Sequence, residues 1–84
     1  MTYSIDFEPG ALRQLKKLDR AVQARLKPKI NALAENPRPR DAKKLKGYEN
    51  TYRIRVGGYR ILYEIYDNIL LVLVVKIGPR RDIY

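Results

Sequence analysis

Cysteine and histidine are both absent from this 84-residue chain. Without cysteine there is no disulfide staple, no thiolate metal site and no thiol nucleophile. Without histidine the usual general base and the commonest metal ligand are missing as well. Acid–base chemistry, if there is any, falls to Lys, Arg, Tyr, Asp or Glu, and no metal or other cofactor is expected. A membrane-length apolar run is lacking too: the only long one, Ile69–Val75, is far too short to cross a bilayer. The opening MTYSIDFEPG has neither the basic start nor the apolar stretch of a signal peptide. The reading is a cytoplasmic protein with no membrane partner.

Acidic residues are scarce, 9 against 18 Lys and Arg, for a net charge of +9. In so short a chain that balance points to nucleic acid, an anionic surface or an acidic protein partner. The charge is uneven. Between Arg38 and Arg60 there are eight basic residues and only Asp41 and Glu49 against them, so a patch is expected and not a uniform coat. The length fits one domain, residues 1–84, with a small and simple core.

The most informative stretch is Thr51–Tyr66, TYRIRVGGYRILYEIY. It reads as two alternating strands joined at Gly57-Gly58, a dipeptide suited to a tight hairpin turn. Alternation puts Tyr52, Ile54 and Val56 on one face and Arg53 and Arg55 on the other. A two-residue turn pairs Val56 with Tyr59, Arg55 with Arg60, Ile54 with Ile61 and Tyr52 with Tyr63. Like charges directly opposite are destabilising, so the Arg55–Arg60 pair suggests a polyanion that sits over them.

Around this hairpin the periodicity predicts a first strand at Tyr3–Phe7 and a helix from Ala11 to Leu18 opened by Pro9. A second helix follows, capped by Asp19, with Val22, Leu26, Ile30 and Leu33 as its apolar stripe and a bend at Pro28. Asn36–Ala42 reads as an extended loop. Lys43–Gly47 reads as a short strand with Lys44 and Lys46 outward. Asp67-Asn68 suits a type I′ turn pairing Tyr66 with Ile69, which sets Arg60 opposite Val75, Glu64 opposite Leu71 and Gly58 opposite Ile77. The strand Ile69–Ile77 barely alternates, as expected in the middle of a sheet with both faces covered. The expected fold class is α+β: strand, helical hairpin, then an antiparallel meander, with the helices covering one face of a mainly antiparallel sheet of about four strands. Arg80, Arg81 and Tyr84 emerge at the same end as Arg55 and Arg60.

The run Lys44-Leu45-Lys46-Gly47, the segment YRIRVGGYRILYEI at Tyr52–Ile65 and the ending IGPRRDIY at Ile77–Tyr84 together resemble the RelE/ParE toxin superfamily, across essentially the whole chain. The resemblance implies the RelE-like fold and a toxin of a type II toxin–antitoxin system. Its RelE branch implies a ribosome-dependent endoribonuclease that cuts mRNA in the A site, with the ribosome, mRNA and a cognate antitoxin as partners. It implicates Arg53, Arg55, Arg60, Arg80 and Tyr84 as catalytic residues. Lys44, Lys46 and Arg81 are candidate RNA contacts.

Cleavage by a ribose 2′-oxygen needs that hydroxyl deprotonated, the charge on phosphorus neutralised and the leaving oxygen protonated. Arginine's forked donors suit the second task, and Tyr84 could stack on a base. Arginine cannot serve as the base, because it is effectively always protonated. Lys44, Lys46, Tyr84, Glu64 and the RNA itself stay open for that role. Two other functions stay open: a ParE-like inhibitor of DNA gyrase, and a non-catalytic module that holds nucleic acid or antitoxin.

Overall fold

A computed structural model describes Thr2 to Pro79; Arg80, Arg81 and Tyr84 lie outside the described residues. The elements are β1 (Ser4–Phe7), α1 (Pro9–Lys16), α2 (Arg20–Ala32), β2 (Lys43–Lys44), β3 (Thr51–Val56), β4 (Tyr59–Tyr66) and β5 (Leu71–Pro79), with a single 3-10 turn at Asp67–Ile69. Both helices pack on one face of a five-stranded sheet ordered β1-β5-β4-β3-β2. All neighbours are antiparallel except β1 and β5. The fold is the α+β arrangement expected, with one strand more than the four anticipated.

The helices form where the pattern put them. Pro9 sits in the first turn of α1, where its missing N–H would have no helical partner anyway. Asp19 occupies the N-cap position of α2, but its side chain makes no capping hydrogen bond. Helix α2 runs unbroken through Pro28. The carbonyl that loses its donor there belongs to Ala24, an exposed residue whose oxygen water can serve. Leu26, Ile30 and Leu33 are almost fully buried, together with Ala11 and Leu15 of α1. Burial of each large side chain contributes about 1.5–3 kcal/mol. Against them lie Ile54, Ile61, Tyr63, Ile65, Val72, Val74 and Ile77 of the sheet.

Two expectations about β5 need correction. The centre of the sheet is β4, and β5 lies one strand further out. Nor are both faces of β5 covered: Val72 and Val74 are buried, while Leu71, Leu73 and Val75 are only half-buried. Its unbroken apolar run therefore marks one buried face and one partly open one.

The second hairpin also differs. Asp67-Asn68 does not form a two-residue type I′ turn; a four-residue connection pairs Tyr66 with Leu71, and Leu70 takes a left-handed φ of 50°. Tertiary contacts override the local turn preference here. The Ser4 N–H donates to the Leu70 carbonyl at 2.8 Å. The Asp67 carboxylate accepts the Tyr3 hydroxyl at 2.6 Å and the two Nη atoms of Arg38 at 3.2 and 2.7 Å. Arg38 also donates to the Tyr52 hydroxyl at 3.2 Å, with its guanidinium over the Tyr52 ring. Buried Tyr63 completes this fastening by donating to the Pro37 carbonyl at 2.8 Å. The 36–42 loop is thereby tied to the sheet.

This clip sets an acid limit on its corner. The Arg38 guanidinium, and secondly the Tyr3 hydroxyl, hold the Asp67 carboxyl below its ordinary range. A carboxylate depressed in the folded state contributes stability above its unfolded value, near 4, and loses it as pH falls through the lower folded value. Exchange of the 36–42 amides should quicken as pH drops below about 4, after correction for intrinsic rates. Asp67→Asn should exchange fast at every pH, and an unchanged Asp67→Asn protein would remove the clip from the account.

Candidate nucleic-acid site on the open face of the sheet

The hairpin β3–β4 closes as the sequence predicts: Val56 pairs with Tyr59, Arg55 with Arg60, Ile54 with Ile61 and Tyr52 with Tyr63. Gly57 alone takes a positive φ, 60°, which is the sign pattern of a type II′ turn. Alternation then divides the side chains. Tyr52, Ile54, Ile61 and Tyr63 join the core under the helices, and Arg53, Arg55 and Arg60 fall on the opposite, open face. Facing residues of an antiparallel pair lie about 4.5–5.5 Å apart at Cα, so Arg55 and Arg60 share one small area.

The three arginines are not equally wet. Arg55 is exposed, Arg53 is half-buried and Arg60 is only 8% exposed. Positive charge held at the edge of a low-dielectric interior acts on an incoming anion more strongly than charge in open water. That gradient, from a solvated guanidinium to a buried one, suits an arriving phosphate group.

The register of β4 with β5 departs from the expected one and alters the site. Tyr66 pairs with Leu71, Glu64 with Leu73 and Tyr63 with Val74; then a bulge intervenes, and Leu62 pairs with Lys76, Ile61 with Ile77 and Arg60 with Gly78. Val75 is the extra residue. The pairings expected from a tight turn, Arg60 with Val75 and Gly58 with Ile77, do not occur. The consequence is a new member of the open face, Lys76, which the expected register would have put opposite Tyr59 on the helix side.

The lysines near β2 also fall differently. Lys43 pairs with Arg53 and shares the arginine face, whereas Lys44 pairs with Tyr52 and so takes the other parity. Lys46 lies in the following loop, where Lys44–Glu49 surround a recess of about 380 Å³ with Tyr48 61% exposed at its wall. Lys44 and Lys46 thus flank the arginine face and do not line it. Arg38, counted in the basic patch on sequence, is engaged by Asp67 at the far end of the sheet.

The open face therefore carries two rows: Lys43, Arg53, Leu62 and Lys76 across four strands, and Arg55, Arg60 and Gly78 across three. Glu64 stands on the same face, roughly 13 Å along β4 from Arg60 at about 3.3 Å per residue. It accepts the Tyr66 hydroxyl at 2.7 Å, which raises the Tyr66 phenol above its ordinary value. Beyond Val74 the strand β5 has no β1 neighbour, and Gln14 of α1 takes that place: the Ile77 N–H donates to its Oε1 at 2.8 Å. Among the described residues no three acidic side chains gather as a metal site would require, and no helix is long and apolar enough to span a membrane.

Residues 5–84 match the family described as the ParE toxin of type II toxin-antitoxin system, parDE. The chain belongs to the ParE toxin family, within the RelE/ParE superfamily. The mRNA interferase toxin RelE of Escherichia coli strain K12 is 37% identical over 83 residues, covering 96% of this chain and 86% of that protein. The toxin in the intact E. coli RelBE toxin–antitoxin complex superposes with a TM-score of 0.83 at 34% identity, over 92% of this chain and 95% of that one. The archaeal RelE–RelB complex from Pyrococcus horikoshii OT3 gives 0.85 at 29% identity, over 98% and 99% of the two chains.

Proposed function

We propose that this member of the family is an mRNA interferase: a toxin that cleaves mRNA in the ribosomal A site by attack of a ribose 2′-oxygen on the adjacent phosphate. The observation that carries the reading is the convergence of Arg53, Arg55 and Arg60 on one open face, in a chain 37% identical to a protein named as an mRNA interferase. Arg55 and Arg60 clamp the scissile phosphate, and their guanidinium forks match its oxygens as charge builds on phosphorus. Arg53 steadies the neighbouring phosphate. Arg80 and Tyr84 take the roles of phosphate contact and base-stacking residue that the resemblance implies, with Arg81, Lys44 and Lys46 as contacts to flanking RNA. Ribosomal RNA completes the alignment, and the site of action places the protein in the cytoplasm. A cognate antitoxin is the inhibiting partner, as antitoxins accompany the related toxins in their complexes.

Primer extension on a message held in programmed ribosomes tests this. Wild type should leave breaks within the A-site codon that are absent on naked RNA and lost with Arg80→Ala or Tyr84→Ala. Because the family description is that of ParE, inhibition of gyrase supercoiling is the second assay. Inhibition of gyrase without any mRNA break would replace the first reading with the second.

A further inference from the structure

We propose that Lys76 accepts the proton of the attacking 2′-hydroxyl. The inference rests on the RNA-cleaving reading above and assigns the one role that Arg53, Arg55 and Arg60 cannot fill, since a guanidinium does not give up its proton in a protein. An amine can, and the fold takes a specific step to deliver one.

That step is the bulge in β5. A regular ladder continuing from Tyr63–Val74 would pair Leu62 with Val75 and Ile61 with Lys76, sending the lysine to the helix-covered face. The extra residue Val75 reverses the parity, so Ile77 enters the core and Lys76 joins the open face opposite Leu62. Bulges recur beside active sites because they re-aim side chains in this way. The backbone next to Lys76 is also held, through the Ile77 N–H on Gln14.

The position suits the task. Lys76 is exposed and diagonal to Arg60, at roughly 8 Å between Cα atoms from standard sheet spacings. Both side chains are long enough to meet at one nucleotide. Leu62 lies between Arg53 and Lys76 and gives the row an uncharged floor where a ribose can rest. Charged groups on the same face of the sheet as Lys76 are Arg60 and Glu64 on β4 and Arg53 and Arg55 on β3, and Lys17, just past the end of α1, lines a recess at the sheet edge with it.

The other candidates serve less well. Glu64 is remote and already accepts the Tyr66 hydroxyl. Lys44 has the wrong parity, Lys46 is in a loop, and Lys43 sits on a two-residue edge strand.

In the step itself the neutral Lys76 amine takes the 2′-hydroxyl proton as the 2′-oxygen bonds to phosphorus. The bond from phosphorus to the 5′-oxygen breaks, and that oxygen leaves with the electron pair and takes a proton from solvent. The products are a 2′,3′-cyclic phosphate and a 5′-hydroxyl, with no redox change.

The test is single-turnover cleavage on programmed ribosomes, followed between about pH 6 and 9. Lys76→Arg keeps the charge but should slow cleavage by about 10²–10⁴-fold and flatten the pH dependence. Because the chain has no cysteine, the Lys76→Cys variant can be aminoethylated selectively before it meets the ribosome. This restores an amine of similar reach, and should recover activity with the acid limb moved to lower pH by the electron-withdrawing sulfur. Lys16→Arg on the helix surface is the control, and melting curves report folding. If Lys76→Arg does not fold, the alkylated variant decides alone. Wild-type rate and pH profile in Lys76→Arg, or no rescue by aminoethylation, overturns the assignment while the RNA-cleaving reading stands. Absence of cleavage by wild type removes both.

Discussion

Arg60→Ala slows single-turnover cleavage on programmed ribosomes by about 10²–10³-fold, the loss typical when one preorganised donor to a transition-state oxyanion is removed. Arg60 is the arginine with the most to lose, being 8% exposed on the central strand and directly opposite Arg55. Its guanidinium is desolvated before substrate arrives, so little solvent reorganisation remains when charge develops on phosphorus. Arg60→Lys retains the charge without the planar fork and should fall between wild type and alanine. Arg55→Gln should cost less rate, because Arg55 is exposed, and should raise the melting temperature slightly by relieving a like-charge cross-strand contact. Cleavage by a folded Arg60→Ala protein at the wild-type rate would refute the phosphate clamp.

Tyr63→Ala should be the most damaging single change to stability. Tyr63 is fully buried, stacks on Tyr52 with ring centroids 5.9 Å apart, and holds the Pro37 carbonyl. Truncating a buried aromatic costs about 3–5 kcal/mol, of a total that for small domains is about 5–15 kcal/mol. In a domain of this size that lowers the melting temperature by roughly 15–30 °C. Tyr63→Phe keeps the ring but leaves a buried carbonyl without its donor, at about 1–3 kcal/mol. Thermal unfolding followed by circular dichroism ranks the three proteins. If Tyr63→Ala melted within a few degrees of wild type, Tyr63 would not be the keystone described here. The hydroxyl is committed to this structural role, and burial pushes the phenol well above its ordinary value.

The first hairpin was legible because everything that sets it is local. Alternation of Tyr52, Ile54 and Val56 with Arg53 and Arg55, plus a glycine turn, leaves one register that buries the apolar set. The second hairpin was not, because its determinants are distant. Asp67 is held by Arg38 and Tyr3, and the Leu70 carbonyl is held by β1. No dipeptide preference at Asp67-Asn68 reports such contacts. The bulge at Val75 is equally silent in an unbroken apolar run, so Lys76 was missed although its charge was plain. Lys43 was passed over for Lys44 through a one-residue choice of register on a strand two residues long, too short to declare its own phase. The arginines could be read from sequence, while the amines beside them depended on how the strands met.

The parallel pairing of β1 with β5 has a consequence for the moment of synthesis. Of the described strands, β5 is the last to be translated, yet it is the bridge between β1 and β4. Until it emerges, the earliest strand has no neighbour, Ile77 is not yet there for Gln14 to hold, and Arg60 faces no completed sheet. Contacts between sequence-distant strands form late in folding. A growing chain can therefore form the local hairpin that carries the arginines, but it has no completed sheet around that hairpin until β5 has been made.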